Sequence, residues 1–283
     1  MSKKLLLSLL IIPFVSFSAY ADNDDDEECD EQEHHAKEYD HDKKHFNKVF
    51  KEGSLNIVSP FAYDRDTFSI QYSHNYYLSS FPRGSNPYFS LSYSPINNLQ
   101  ADFAVTLRDE FEGGIKYQIF NEFAKDLFSL TPKISFNSRG RVAGLDITAS
   151  KVFFNDIWQL GLNYRLMNYF GDPKIDGLTS TFAQAIGVNT IVRVWNNWSL
   201  FGDAVIPFDS NLISQKSFIW SAGIKKRIDY SPHIVTLYVG NTNESTLTGK
   251  TFSSVGKYPE ALKVGFNFSI DIENFTQLPK RLF

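Results

Sequence analysis

Six histidines and one cysteine supply most of the side chains able to do chemistry in this 283-residue chain, and they are unevenly placed. Cys29, His34, His35, His41 and His45 lie among a dense run of carboxylates, the donor mixture of a weak divalent-metal site. Their spacing fixes no ligand set, since Cys29-x4-His34-His35 is not a zinc signature. Dense like charge also cannot bury enough apolar area to order itself, so a solvated tail is the simpler reading. The other two histidines are His74, in Tyr-Ser-His-Asn, and His233, in Ser-Pro-His-Ile. Neither has the His-x-Ser spacing expected of a membrane lipid hydrolase, which needs nucleophile, base and orienting group together. A phosphate loop, a His-Glu-x-x-His helix and a nucleophile elbow are all missing. Lys225-Lys226-Arg227 is too short for a nucleic-acid surface. The chain is therefore expected to be no enzyme, to carry no cofactor and to bind no nucleic acid.

Three segments frame these residues. Residues 1–21 read as a secretory signal, with Lys3 and Lys4, an apolar centre from Leu5 to Val15, and the cleavage site Ala19-Tyr20-Ala21. Residues 22–50 form the acidic tail, where 12 acids face three lysines over 22–46. The rest, 51–283, carries alternating runs and is close to charge balance. No apolar run reaches the roughly 18 residues of a spanning helix.

Twelve runs follow Tyr63, near 67–77, 86–95, 99–108, 111–120, 127–137, 142–154, 158–169, 182–194, 198–207, 217–227, 233–242 and 261–270. The last is the cleanest. Leu262, Val264, Phe266, Phe268 and Ile270 share one parity, and Lys263, Gly265, Asn267 and Ser269 the other. Alternate side chains of a strand face opposite ways, so one face is apolar and the other polar. Connections after even-numbered runs are short, and those after odd-numbered runs include the long ones, 78–85, 170–181, 208–216 and 243–260. That parity is the arrangement of an outer-membrane barrel with short periplasmic turns, long external loops and both ends periplasmic. Among the 44 aromatic residues, Phe153, Phe154, Trp158, Trp195 and Trp198 beside the short turns and Tyr76, Tyr77, Tyr88, Tyr169, Phe170, Phe182 and Trp220 near the external strand ends fit two belts at headgroup level. A soluble β-sandwich, which also buries aromatics, is the alternative. Within this scheme Pro132 is out of place, lying mid-strand where a closed barrel offers no free edge. A bulge or shifted boundary is expected there.

Two resemblances accompany the pattern. Lys263, Gly265, Phe268 and Ile270 resemble the assembly signal closing bacterial outer-membrane barrels, which implies the barrel assembly machinery and outer-membrane lipid as partners. His233-Ile-Val-Thr-Leu-Tyr-Val-Gly-Asn-Thr242 with Val264-Gly-Phe-Asn-Phe268 resembles the closing strands of an uncharacterised bacterial β-barrel family. Phe111-Glu-Gly-Gly-Ile-Lys-Tyr-Gln-Ile119 is similar to that family's fourth strand. The resemblance implies a fold and no activity.

By parity, Asp102, Arg108, Lys116, Lys133, Asp146, Arg165, Arg193, Asp203 and Lys225 face the lumen. Six are cations, so an open lumen would favour small anions. The same charges could instead pair across the lumen and fill it. The expectation is a single twelve-stranded antiparallel transmembrane barrel acting as a narrow channel for small solutes, anionic ones by its charge. The alternative is a barrel anchoring a tail that binds a divalent metal or a periplasmic partner.

Overall fold

The structure, a computed structural model, describes residues 50, 52–78, 87–106, 110–154, 156–172, 180–195, 197–207, 218–228, 231–242, 246–251 and 262–277. The signal segment, Cys29, His34, His35, His41 and His45 in the tail, and Arg108 lie outside the described residues.

Twelve strands form the wall: β1 Thr67–Tyr77, β2 Tyr88–Ile96, β3 Leu99–Thr106, β4 Phe111–Tyr117, β5 Ser129–Asn137, β6 Val142–Phe153, β7 Trp158–Tyr169, β8 Phe182–Trp195, β9 Trp198–Pro207, β10 Ile219–Arg227, β11 His233–Gly240 and β12 Lys263–Ile272. Each pairs antiparallel with its sequence neighbours, and β1 pairs with β12, from Phe68↔Ile272 to Tyr77↔Lys263, to close the barrel. Closure leaves no unpaired edge, the condition for backbone to stand in lipid. The strand ends joined by the short turns gather at one rim, and those joined by the long connections at the other. Asn98 adopts φ 68° in the two-residue turn between β2 and β3, a left-handed conformation that asparagine tolerates.

Side chains alternate as the strands require. Ile115, Ile134, Leu162, Ile186, Leu200, Ile206 and Leu237 stand exposed on the outer surface, whereas serines, threonines, asparagines and most charges turn inward and are buried. An apolar exterior around a polar interior inverts the soluble protein and defines a transmembrane barrel. At the short-turn rim Phe154 stacks on Trp158 at 6.1 Å, and Lys226 lies 4.9 Å from the Trp198 ring centre. At the other rim Tyr76, Phe170 and Phe182 point outward. Tyr77, Tyr88 and Tyr169 do not join that belt, because their strand parity turns them to the lumen.

Pro132 is accommodated by a bulge. The β5–β6 ladder continues through Pro132↔Ile147, so the missing donor falls on the β4 side. There the regular ladder ends at Lys116↔Lys133 and resumes one residue out of register at the bridge Phe120↔Leu130.

The residues after β12 fold back on the start of β1. Phe275 stacks on Phe68 at 4.7 Å and its amide donates to the Asp66 carbonyl at 2.9 Å. The Thr276 hydroxyl donates to Asp66 Oδ2 at 2.6 Å, and the Tyr93 phenol to Oδ1 at 3.3 Å. Led by the Thr276 hydroxyl, these donors hold the Asp66 carboxyl below the usual carboxylate range. The short C-terminal extension thus clasps the two closing strands together at the short-turn end of their seam.

Candidate functional site

The lumen is occupied. The wall begins only at Thr67, and Phe50 with residues 52–63 lies inside the barrel, rising from the short-turn rim and returning to it. Near its start, the Ser269 hydroxyl donates to Glu52 Oε1 and the Lys225 ammonium to the Gly53 carbonyl. Its apex is Asn56, whose amide and Nδ2 donate to the two Asp203 carboxylate oxygens at 2.9 and 2.6 Å. On the return, the Lys116 ammonium donates to the Phe61 carbonyl at 2.6 Å, and the Tyr63 amide donates to Gln100 Oε1 at 3.1 Å.

Apolar packing seats this segment against one side of the wall. Phe50, Leu55 and Phe61 bury against Ile191, Phe201 and Tyr238, and Ile57 against Ala185, Val205 and Ile219. A Cβ added at Gly187 would stand 2.9 Å from Ile57 Cδ1, so the absence of a side chain there makes the seat. Gly187→Leu should therefore unseat Ile57 and expose the interior segment to protease in an otherwise folded barrel. Equal protease resistance in the variant and the parent would contradict this seating.

The long-loop rim supplies a second inward element. Residues 246–251 fold into the lumen, where Leu247 packs with Val142, Met167, Tyr169 and Ala183. Its amide donates to Glu112 Oε2 at 2.6 Å. Gly144 leaves room for the Leu247 side chain, whose Cδ2 would lie 2.5 Å from an added Cβ.

The two elements meet at Arg165. Its Nε donates to Asp146 Oδ1 at 2.6 Å, one terminal nitrogen to the Thr251 hydroxyl at 2.8 Å and the other to the Asn56 carbonyl at 3.2 Å. Both Arg165 and Asp146 have side chains only 1% exposed. One guanidinium thus ties wall, interior segment and inward loop together.

The remaining lumen charges expected from the sequence are also placed. Lys133 pairs with Asp102 at 2.8 Å, and Asp102 Oδ1 also accepts from Ser92 Oγ at 2.7 Å and Gln100 Nε2 at 2.6 Å. Lys225 stands 3.6 Å from Glu52, whose carboxyl is pushed up to about 7 by burial. Arg193 sits half-buried on the lumen parity at the short-turn end of β8. Glu110, Glu112, Lys263 and Asp271 join the set on the same alternation. The acids among them offset much of the cationic lean read from the sequence.

Beside the interior segment a polar cavity of about 120 Å³ remains, lined by β1–β5 and β9–β12. Its walls carry Lys116, Lys133, Lys225 and Lys250 against Glu52 and Asp102.

Neither histidine of the wall enters this space. His74 faces outward, stacked 4.2 Å from Tyr76, and His233 faces outward with its ring 5.2 Å from Phe268 and Nδ1 against the Ser231 hydroxyl. Phe266, the register partner of His74, and Ile270, that of His233, are four residues apart on β12.

Fold and surface together define an outer-membrane-type β-barrel of twelve strands with a filled lumen. No protein-family model matches the chain, and no curated protein matches it. Among solved structures it is similar to the KdgM porin, with TM-score 0.48, 12% identity, and 71% of this chain and 98% of that one covered. It is similar to the NanC porin at TM-score 0.48 and 8% identity, covering 73% of this chain and 99% of that one. Outer membrane phospholipase A from Escherichia coli is similar at TM-score 0.41 and 12% identity, over 75% of this chain and 92% of that one. These likenesses are loose, and what this chain does has to be read from its own lumen.

Proposed function

We propose that the protein is a narrow channel of the outer membrane for small anionic solutes, constricted by its own interior segment and inward loop. The observation that carries this reading is the polar cavity alongside the segment, with four lysines and two acids in its walls. A low-dielectric wall focuses the field of such a surplus and raises the local concentration of anions. A lipid hydrolase needs nucleophile, base and orienting group together. Among the described residues His74 meets the rings of Tyr72, Tyr76 and Phe266, and His233 the Ser231 hydroxyl and the Phe268 ring, and neither set completes that trio. In this reading the short-turn rim faces the periplasm, which is also the compartment of the N-terminal tail. The assembly machinery would recognise β12, where Lys263 and Gly265 face the lumen and Phe268 and Ile270 the lipid.

Planar-bilayer recording of the refolded protein tests this, with a heat-shifted gel band as proof of folding. Small discrete steps whose reversal potential favours anions are expected. A folded barrel that never conducts, or one that selects cations, would overturn the proposal.

A further inference from the structure

Among the described residues Lys250 is the one cavity lysine that makes neither an ion pair nor a side-chain hydrogen bond. Lys133 is held by Asp102 at 2.8 Å and Lys225 by Glu52 at 3.6 Å, while Lys116 donates to the Phe61 carbonyl. The Lys250 ammonium instead borders the cavity 5.9 Å from the Tyr88 ring centre. The acids near it are engaged elsewhere. Glu112 accepts from the Leu247 amide and Asn137 Nδ2, at 2.6 and 3.2 Å, and Asp146 accepts from Arg165 and Asn163. Glu112 favours the charged amine without contacting it; a cation held out of water with no bonded counter-charge is costly, and the cation–π contact offsets only part of that cost.

We propose that the cavity binds one small oxyanion, of the sulfate, phosphate or carboxylate kind, against the Lys250 ammonium beneath the inward-folded loop. The inference rests on the reading of the lumen as an anion pathway and names the group that makes its binding saturable. About 120 Å³ accommodates one such ion with little accompanying water. Because Lys250 belongs to the inward-folded residues 246–251, a bound anion would also add a link between them and the cavity wall.

The test is calorimetry of inorganic sulfate binding to the full folded chain in detergent, in a buffer free of other oxyanions. Saturable one-to-one binding is expected at pH 7. Lys250→Gln should weaken it by about tenfold or more, the usual consequence of removing one charge-assisted hydrogen bond. Lys226→Gln, at the outer surface of the short-turn rim, should leave it unchanged.

A pH series supplies an independent readout. The charged and titratable groups that face Lys250 are Tyr88 of β2, Glu112 of β4, Lys133 of β5, Asp146 of β6 and Arg165 of β7. Burial pushes the Lys250 amine down to about 8, so it is charged below that pH and neutral above it. Sulfate stays a dianion throughout, and binding should therefore fall as pH rises through about 8. Lys250→Arg, which stays charged, should bind at pH 7 and still at about pH 9.5.

Full-strength binding by Lys250→Gln, or no saturable heat from the parent at pH 7, would overturn the proposal. The two readings fail separately. A protein that binds sulfate but never conducts keeps the site and loses the channel, and one that conducts anions without sulfate heat does the reverse.

Discussion

A chain lacking residues 50–62 should conduct several-fold more than the intact protein, with larger steps and weaker ion selectivity. The interior segment fills the lumen on the β8–β10 side through Ile57 and Leu55, and its removal leaves Ala185, Val205 and Ile219 facing water. The wall itself should survive, because the ladders that close the barrel run from Thr67 onward and none includes the deleted residues. Single-channel recording checks the outcome beside the heat-shifted gel band. Steps of unchanged size would mean that the cavity beside β1–β5, and not the segment, sets the constriction.

Replacing Arg165 should have the second large effect, on stability and conduction together. Arg165→Met removes the guanidinium shared by Asp146, Thr251 and Asn56 and leaves the Asp146 carboxylate buried with only neutral donors. Breaking a buried ion pair from one side costs about 3–5 kcal/mol. The loss should appear as a lower urea midpoint and as frequent openings in bilayers, since segment and loop lose their common anchor. The double variant Asp146→Asn with Arg165→Met should recover part of the stability and none of the closure, because it removes the stranded charge without restoring the bridge. A single variant with wild-type midpoint and wild-type gating would contradict the role assigned to Arg165.

The wall was legible in the sequence to within a few residues, for a physical reason. Lipid outside and polar contents inside force a strict period of two, and a strand such as Lys263–Ile272 can satisfy it in one register only. Connection parity supplied the rest. Lumen-facing charges follow from the same alternation, which is why Asp102, Lys133, Asp146, Arg165, Asp203 and Lys225 all fall where the pattern puts them. Their partners did not follow. Alternation assigns a side chain to the lumen without saying what it meets there, and Asn56, Gly53 and Thr251 reach the wall by tertiary contacts spanning 86 to 172 residues.

A signal of the occupied lumen was nevertheless present. Val142, Met167, Ala183, Ala185, Ile191, Phe201, Val205 and Ile219 are apolar on lumen parity over five consecutive strands, which a water-filled pore would not favour. Phe50, Leu55, Ile57 and Phe61 supply a matching apolar set just before the first strand. Pro132 is the opposite case, an irregularity visible in the sequence whose remedy, the one-residue slip against β4, needed the register to be seen.

The interior segment enters and leaves by the same mouth. Glu52 begins it beside Ser269 and Lys225, and Arg65 ends it with its amide donating to Asn97 of the β2–β3 turn, all near the short-turn rim. Its path is a loop pushed into a sleeve, and between Glu52 and Arg65 the backbone does not pass from one mouth to the other. Withdrawal therefore requires no threading and no opening of the β1–β12 seam. Once its tie to Arg165 is released, the interior segment has a path out through that one mouth, whereas residues 246–251 enter from the opposite rim and share no such path.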